Sequence, residues 1–302
     1  MKKHSFKSWV VATRPWSFPA SAMPVLVTLT YLFWSGADVN WLMGIWVILT
    51  IVVVHAAGNT WSDYNDYVKG VDRKDTIGGL SITSGEFEPG EIKRLSLWLM
   101  AVSSLSGIAI VAVAGLPVLY VGLAGVALTL FYPWLKYRAL GDLDIFLTYG
   151  VLPMVGTSFV AIGELEPNVA LLCVPVGFIT VGILHANNMR DTVQDRRANI
   201  KTVAMNLGGK TSAVLYGVEV LLPFGAVVAG VVAGLFPVTA LFVLVAVKMA
   251  WSNFSMALKY PEQGMEAVKG LDERTAQLQL AFSVLLSISL VIAGFLKDNP
   301  MW

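Results

Sequence analysis

The chain has 302 residues, of which 56% are hydrophobic and only 14% charged, with a mean hydropathy of +0.68 and a net charge of +1. Soluble domains carry about 25% charged residues, so this composition excludes an ordinary soluble fold and points to a membrane protein. The single cysteine, Cys173, excludes an internal disulfide.

In chain order, the first apolar segment runs from Arg14 to Trp34, and Pro15, Pro19 and Pro24 interrupt its first half. Such irregular backbone must be buried against protein. The residues before it lack a short apolar core with a cleavage site, so an uncleaved start is expected. Further spans are expected at about 41–67, 93–114, 118–135, 143–162, 169–189, 211–235, 237–256 and 277–295, each near the roughly 20 residues that cross a bilayer. The fold class is therefore all-α, a nine-helix membrane bundle, and residues 1–302 are read as one domain.

Charge placement supports this parse. Lys2, Lys3, Lys7 and Arg14 precede span one. Lys69, Arg73, Lys74, Lys93 and Arg94 follow span two, and Lys136 and Arg138 follow span four. Arg190, Arg196, Arg197, Lys201 and Lys210 follow span six, and Lys259, Lys269 and Arg274 follow span eight. The opposite loops hold Asp38, Glu164 and Glu166 but neither Lys nor Arg, and Lys297 lies in the tail. By the positive-inside rule the N-terminus is expected in the cytoplasm and the C-terminus across the cell (inner) membrane.

Two acidic clusters end apolar helices on that basic side. In the first, Asn59, Asp63 and Asp66 are spaced four and three apart and share one helical face, with Asp72 following Gly70. In the second, Asn187 and Asn188 precede Asp191 and Asp195, again one turn apart. Crowded carboxylates repel one another unless a cation lies between them. Two such clusters with Lys and Arg nearby suggest a diphosphate held by Mg2+, a hard ion bound through carboxylates and substrate phosphates. Ion-coupled transport is the competing reading, although its sites lie nearer the bilayer midplane.

Other polar residues are less telling. His55 and His185 precede their clusters in matching places and are read as bonded within the bundle, and zinc is not expected because no Cys or third His accompanies them. Glu219 and Lys248 are read as a candidate pair inside spans seven and eight.

The segments around Asn59–Asp63–Asp66–Asp72 and Asp191–Asp195 resemble the two signature motifs of the UbiA superfamily of intramembrane aromatic prenyltransferases. Arg14-Pro15, the spacing to Asp72 and Ser84-Gly85 look most like the branch that prenylates 1,4-dihydroxy-2-naphthoate in menaquinone synthesis, and Tyr132-Pro133 with Lys136, then Gly141-Asp142, resemble the family's stretch between helices four and five. Where a basic residue is expected after Gly78-Gly79, this chain has Leu80.

The resemblance implies a polyprenyl diphosphate bridged by Mg2+ between the motifs. Asn59, Asp63, Asp66, Asp72, Asn187, Asp191 and Asp195 would form the metal site. Arg73, Lys74, Arg190 and Lys201 would donate to the diphosphate. Arg14 and Tyr64 would hold the acceptor, with Trp61 and Tyr67 beside the allylic cation. Asp63, Asp66, Asp191 and Asp195 would serve catalysis, together with Lys136 and Asp142, which would position or deprotonate the acceptor. The implied partners are the polyprenyl diphosphate, the aromatic acceptor and the lipid bilayer, with no nucleic acid. The reaction would release diphosphate and CO2 and give demethylmenaquinol. The alternatives are the same chemistry on another acceptor such as 4-hydroxybenzoate, or a cation-coupled transporter.

Overall fold

Apolar helices that cross a bilayer must satisfy their backbone internally. The computed structural model, which describes residues 4–73 and 80–298, is accordingly all-helical, with nine helices among the described residues long and apolar enough to span a membrane. The Lys74 expectation and the Gly78-Gly79 turn lie outside the described residues.

A short helix α1 (Phe6–Ala12) is capped by Ser5, whose Oγ accepts from Ser8 N. Arg14 then adopts the left-handed conformation, φ 56°, ahead of a 3-10 turn at Pro15–Ser17 and helix α2 (Pro19–Ser35). The expected first span is thus split at Pro15 and Pro19, where each ring fixes φ and removes a backbone donor, whereas Pro24 is carried inside α2. Helix α3 (Trp41–Lys69) starts at Asn40, which caps Met43 N at 3.1 Å, and stops at Gly70 with φ 77°.

After a single turn, α4 (Leu80–Thr83), comes α5 (Pro89–Ala114), which opens on a Glu88–Glu91 capping box. It is followed by α6 (Leu116–Lys136) and α7 (Gly141–Ile162), the latter containing a π turn at Phe146–Val151. Helix α8 (Val169–Arg190) leads into short α9 (Thr192–Arg197). Residues Val203–Val232, together labelled α10, are two helical pieces separated by a kink at Gly208 (φ 74°, ψ 168°), so the long piece starts just after Gly208, close to the expected 211. A 3-10 tract, Val238–Ala246, runs into α11 (Val247–Ala257); short α12 (Tyr260–Gln263) and α13 (Leu271–Asp298) complete the chain.

Helix α8 is the most enclosed of the spans, and α5 and α6 are the most outward-facing. It packs against α10, α13 and the π turn of α7, while α3 packs against α5 and α2 against α13. Lipid tails are as apolar as leucine, so helices associate here by close packing. Gly150 of α7 meets Gly177 of α8 so closely that a Cβ on Gly150 would stand 3.0 Å from the Gly177 backbone. Tyr31, Met154, Leu172, Ile179, Tyr216 and Phe282 are fully buried among these elements. The result brings the ends of α3, α6 and α8 together with α1.

Candidate active site

Helix α3 carries Asn59, Asp63 and Asp66 on one row, but each residue meets a different neighbour. Asn59 Nδ2 donates to Thr13 O and Ser17 Oγ, both at 3.0 Å. Asp63, 2% exposed, is paired with Arg14. Asp66 accepts from Lys136 Nζ (3.0 Å) and Ser62 Oγ (3.2 Å) through Oδ2, and from Tyr137 Oη (2.8 Å) through Oδ1. The left-handed Gly70 turns the chain so that Val71 N and Asp72 N both donate to Asp66 O, at 2.8 and 3.2 Å. That fold-back buries Asp72 within electrostatic reach of Asp66 and Asp63.

The second cluster arrives from α8. Asp191 caps that helix, and Asp195 N donates to Asp191 O at 2.9 Å, which preserves the one-turn spacing. Asp195 is buried and its Oδ2 has no partner. It lies within electrostatic reach of Lys136 and Asp66. The two motifs therefore meet at one pole, with the Lys136 ammonium between them.

The electrostatics of this pole follow from burial. Asp195 is pushed up to about 6, by desolvation first and by Asp191 and Asp66 next, against the pull of Lys136. Asp72 is pushed up to about 7, by desolvation and then by Asp66 and Asp63. Arg14 is raised above its ordinary value, chiefly by Asp63. Burial and Asp66 raise Tyr137 well above the phenol range, so its hydroxyl stays a donor.

This sets a sign for pH dependence. Both carboxyls hold protons more tightly folded than at the ordinary 3.8, so in the metal-free protein their contribution to stability falls as pH rises from about 4 to about 7. Metal-free protein in detergent is expected to melt several degrees higher at pH 5 than at pH 8. Mg2+ with diphosphate should raise the melting temperature more at pH 8, where the ligands are ionised. A metal-free melting temperature that is flat, or rises with pH, would contradict this account.

The remaining expected residues are placed as follows. Arg190 forks onto Asp191 (2.7 and 2.8 Å) and also pairs with Asp272, so it organises the cluster rather than projecting from it. Asn187 is half-buried on α8. Lys201 is exposed, but its backbone N donates to Tyr137 O at 3.3 Å, which tethers its loop to the pole. Arg73 is exposed, with Nε on Gly70 O. Tyr64 packs against Ile82 and Phe87, under Lys93 at 5.3 Å, and Trp61 donates to Leu130 O. Both turn off the Asp63–Asp66 row because each residue advances the helix by about 100°. Tyr67 is exposed, on the surface beside Asp72 and Gly85.

The candidate Glu219–Lys248 pair does not form. Glu219 Oε1 instead meets His185 Nδ1 at 2.9 Å, and Lys248 is exposed on α11. His185 Nε2 bonds Ser212 Oγ at 2.7 Å. Asp142 completes a buried set, so Asp142, His185 and Glu219 offer three ligand atoms within 4.8 Å of one another. His55 bonds Ser21 and Ser17, as the within-bundle reading expects.

Two tyrosines to which the sequence analysis gave no role in the site lie near these groups. Tyr132 lies within reach of Lys136, Asp66, Asp142 and Asp144. Tyr149 meets His55 edge to face, with ring centroids 4.8 Å apart, and lies near Tyr132 and Asp144.

These donors fit Mg2+. The acidic pole offers carboxylate oxygens, one of them orphaned, and the Asp142–His185–Glu219 set is a buried group suited to a divalent ion. Asp66, Asp72 and Asp195 would hold the ion at the pole.

Known proteins share both fold and sequence. A solved UbiA homologue from Aeropyrum pernix K1 superposes with a TM-score of 0.68 at 16% identity, covering 92% of this chain and 96% of that one. An Archaeoglobus fulgidus homologue bound to GPP and Mg2+ gives 0.58 at 14%, covering 93% and 99%. UbiA prenyltransferase domain-containing protein 1 of Xenopus tropicalis is 30% identical over 97% of this chain and 85% of its own length, and that of Homo sapiens is 30% identical over 95% and 84%. The UbiA prenyltransferase family itself matches residues 21–269. An all-helical bundle with two converging acidic motifs, an Mg2+-suited donor set and this similarity along nearly its whole length make the chain an enzyme that belongs to the UbiA prenyltransferase family.

Proposed function

We propose that this enzyme transfers a polyprenyl group from polyprenyl diphosphate to 1,4-dihydroxy-2-naphthoate, releasing diphosphate and CO2 and giving demethylmenaquinol. The observation that carries the reading is the convergence of Asp66 and Asp195 on Lys136, with a buried carboxylate oxygen left over. Such a pole suits a group richer in negative charge than any one side chain, delivered with its own cation.

Mg2+ bound there would offset the charge of the leaving diphosphate. The protein does the rest. Lys136 and the Tyr137 hydroxyl sit where they can donate to phosphate oxygens once Asp66 turns to the ion. The C1–O bond breaks with its electron pair going to the diphosphate. The electron-rich ring then forms the new C–C bond to C1, and the net change at the ring is one prenyl group gained and one CO2 lost. Enclosure between α3, α6, α7 and α8 keeps water from the cation. Arg14, partly exposed and held over Asp63, has the planar fork that suits the acceptor's carboxylate. Residues 1–302 act as one domain in the cell (inner) membrane, with the N-terminus and the acidic pole on the cytoplasmic side, as the basic loops support. A cation-coupled transporter is disfavoured because both acidic motifs lie at helix ends.

The test is direct. Membranes containing the protein receive radiolabelled polyprenyl diphosphate, Mg2+ and either dihydroxynaphthoate or 4-hydroxybenzoate. A lipid-soluble product with the naphthoate is expected. Product from 4-hydroxybenzoate alone would sink the naphthoate assignment, and no product from any aromatic acceptor would sink the prenyl transfer itself.

A further inference from the structure

Asp144 lies in the first turn of α7, two residues after Asp142 and just ahead of the π turn. It is 2% exposed, and its Oδ1 has no hydrogen-bond partner. Thr148, one turn on, is the one side-chain donor acting on this carboxyl, although its hydroxyl makes no hydrogen bond of normal geometry. Buried carboxylate oxygens without a donor are rare and ask for an explanation. The helix N-terminus favours the charge but supplies no donor to that oxygen. No Lys or Arg is among the groups acting on this carboxyl.

The neighbours say what would supply the donor. Tyr132 lies within electrostatic reach of Lys136 and Asp66 and also of Asp142 and Asp144. Tyr149 lies within reach of Tyr132 and Asp144 and meets the ring of His55 edge to face, and His55 lies one turn ahead of Asn59 on α3. The π turn inserts an extra residue into the helix here, a distortion frequent at functional sites. An orphan acceptor oxygen with two tyrosines in reach, one of which also reaches Lys136 and Asp66, matches one ligand chemistry: a flat ring bearing a hydroxyl.

We infer that Asp144 holds the aromatic acceptor, its Oδ1 accepting a hydrogen bond from a ring hydroxyl between Tyr132 and Tyr149, and so selects hydroxyarenes as the acceptor class. This rests on the prenyl-transfer reading above. The hydrogen stays on the ring oxygen. A carboxylate bonded to it raises the ring's electron density and favours attack on the allylic centre. No such hydrogen bond can form with a methyl ether of similar shape and electron richness.

The experiment compares dihydroxynaphthoate with its monomethyl ethers, using wild type, Asp144→Ala and Asp144→Asn. Wild type is expected to prefer the free hydroxyl by about 10- to 100-fold in kcat/KM, the range for a hydrogen bond to a charged group. In Asp144→Ala that preference collapses toward unity and the acceptor KM rises, while the KM for the prenyl diphosphate changes less than about twofold. Asp144→Asn, close to isosteric, keeps the fold and loses part of the preference, which covers the case in which the alanine variant fails to fold. Equilibrium binding of 1-naphthol against 1-methoxynaphthalene, without donor, should show the same loss of preference. Variants that are active and keep the full wild-type preference overturn this assignment alone. A wild-type protein that prenylates no aromatic acceptor overturns the reaction reading and this assignment with it.

Discussion

Asp195→Asn is expected to lower turnover by roughly 10²- to 10³-fold or more, the loss seen when a preorganised electrostatic group is removed, without destabilising the metal-free protein. Asp195 is buried, its Oδ2 has no donor, and its carboxyl is already pushed up to about 6 by burial and its acidic neighbours. An amide relieves that crowding and removes an anionic ligand. Asp66→Asn should be equally inactive but should behave differently as a protein. Asp66 is bonded to Lys136, Tyr137 and Ser62. Neutralising it leaves a mostly buried ammonium short of a partner. Breaking buried pairs costs about 3–5 kcal/mol, and here the cost should fall at or below the low end because Asp195 stays within reach of Lys136. Melting temperatures and turnover measured on both variants separate the two roles. Near-normal turnover in both would remove the acidic pole from the mechanism, and equal melting losses would contradict the asymmetry between a paired and an unpaired carboxylate.

The acidic motifs were legible because aspartates at the end of an apolar helix have few structural reasons to be there, and the basic loops placed both on one side. Their partners were not. Lys136 lies 70 residues from Asp66, and nothing in helical spacing says how α6 is rotated relative to α3. The same rotation decides Glu219: its nearest long-range charge by hydropathy was Lys248, yet α10 turns it toward His185 of α8. Two signals were present and passed over. Asp144 is a carboxylate inside an apolar segment, which is costly without a purpose. Tyr137 directly follows Lys136, where the end of α6 delivers both side chains to Asp66.

The turn at Arg14 was only half readable. Pro15, Pro19 and Pro24 announced broken backbone, but not that Arg14 would take a left-handed conformation, which a non-glycine residue adopts only where its surroundings hold it. Here the surroundings are Thr13 and Ser17, both bonded to Asn59, and Asp63 beneath the guanidinium. Asn59 thus serves as the clamp on the Arg14 turn. Its amide nitrogen is committed to that turn, while its Oδ1 is the atom that the metal role implied by the resemblance would use.

Lys136→Met is expected to lower turnover by roughly 10²-fold or more while strengthening Mg2+ binding, and the second effect is the more diagnostic. In the metal-free protein Lys136 does what a metal would do: its ammonium lies 3.0 Å from Asp66 and within reach of Asp195. Mg2+ loading must therefore displace a cation already on the carboxylates. Methionine fills the same volume without the charge, so Asp66 and Asp195 face each other uncompensated and their demand for an ion rises. The melting temperature of metal-free Lys136→Met should drop, and saturating Mg2+ should recover more of it than the same Mg2+ adds to wild type. Turnover should stay low at saturating Mg2+, because in the proposed mechanism the Lys136 ammonium donates to the diphosphate oxygens. Those two outcomes pull in opposite directions, which a simple packing defect would not produce. Weaker Mg2+ binding in the variant would show that Lys136 supports the metal instead of competing with it. Recovery of wild-type turnover by excess Mg2+ would show that its only role is to hold the empty pole together.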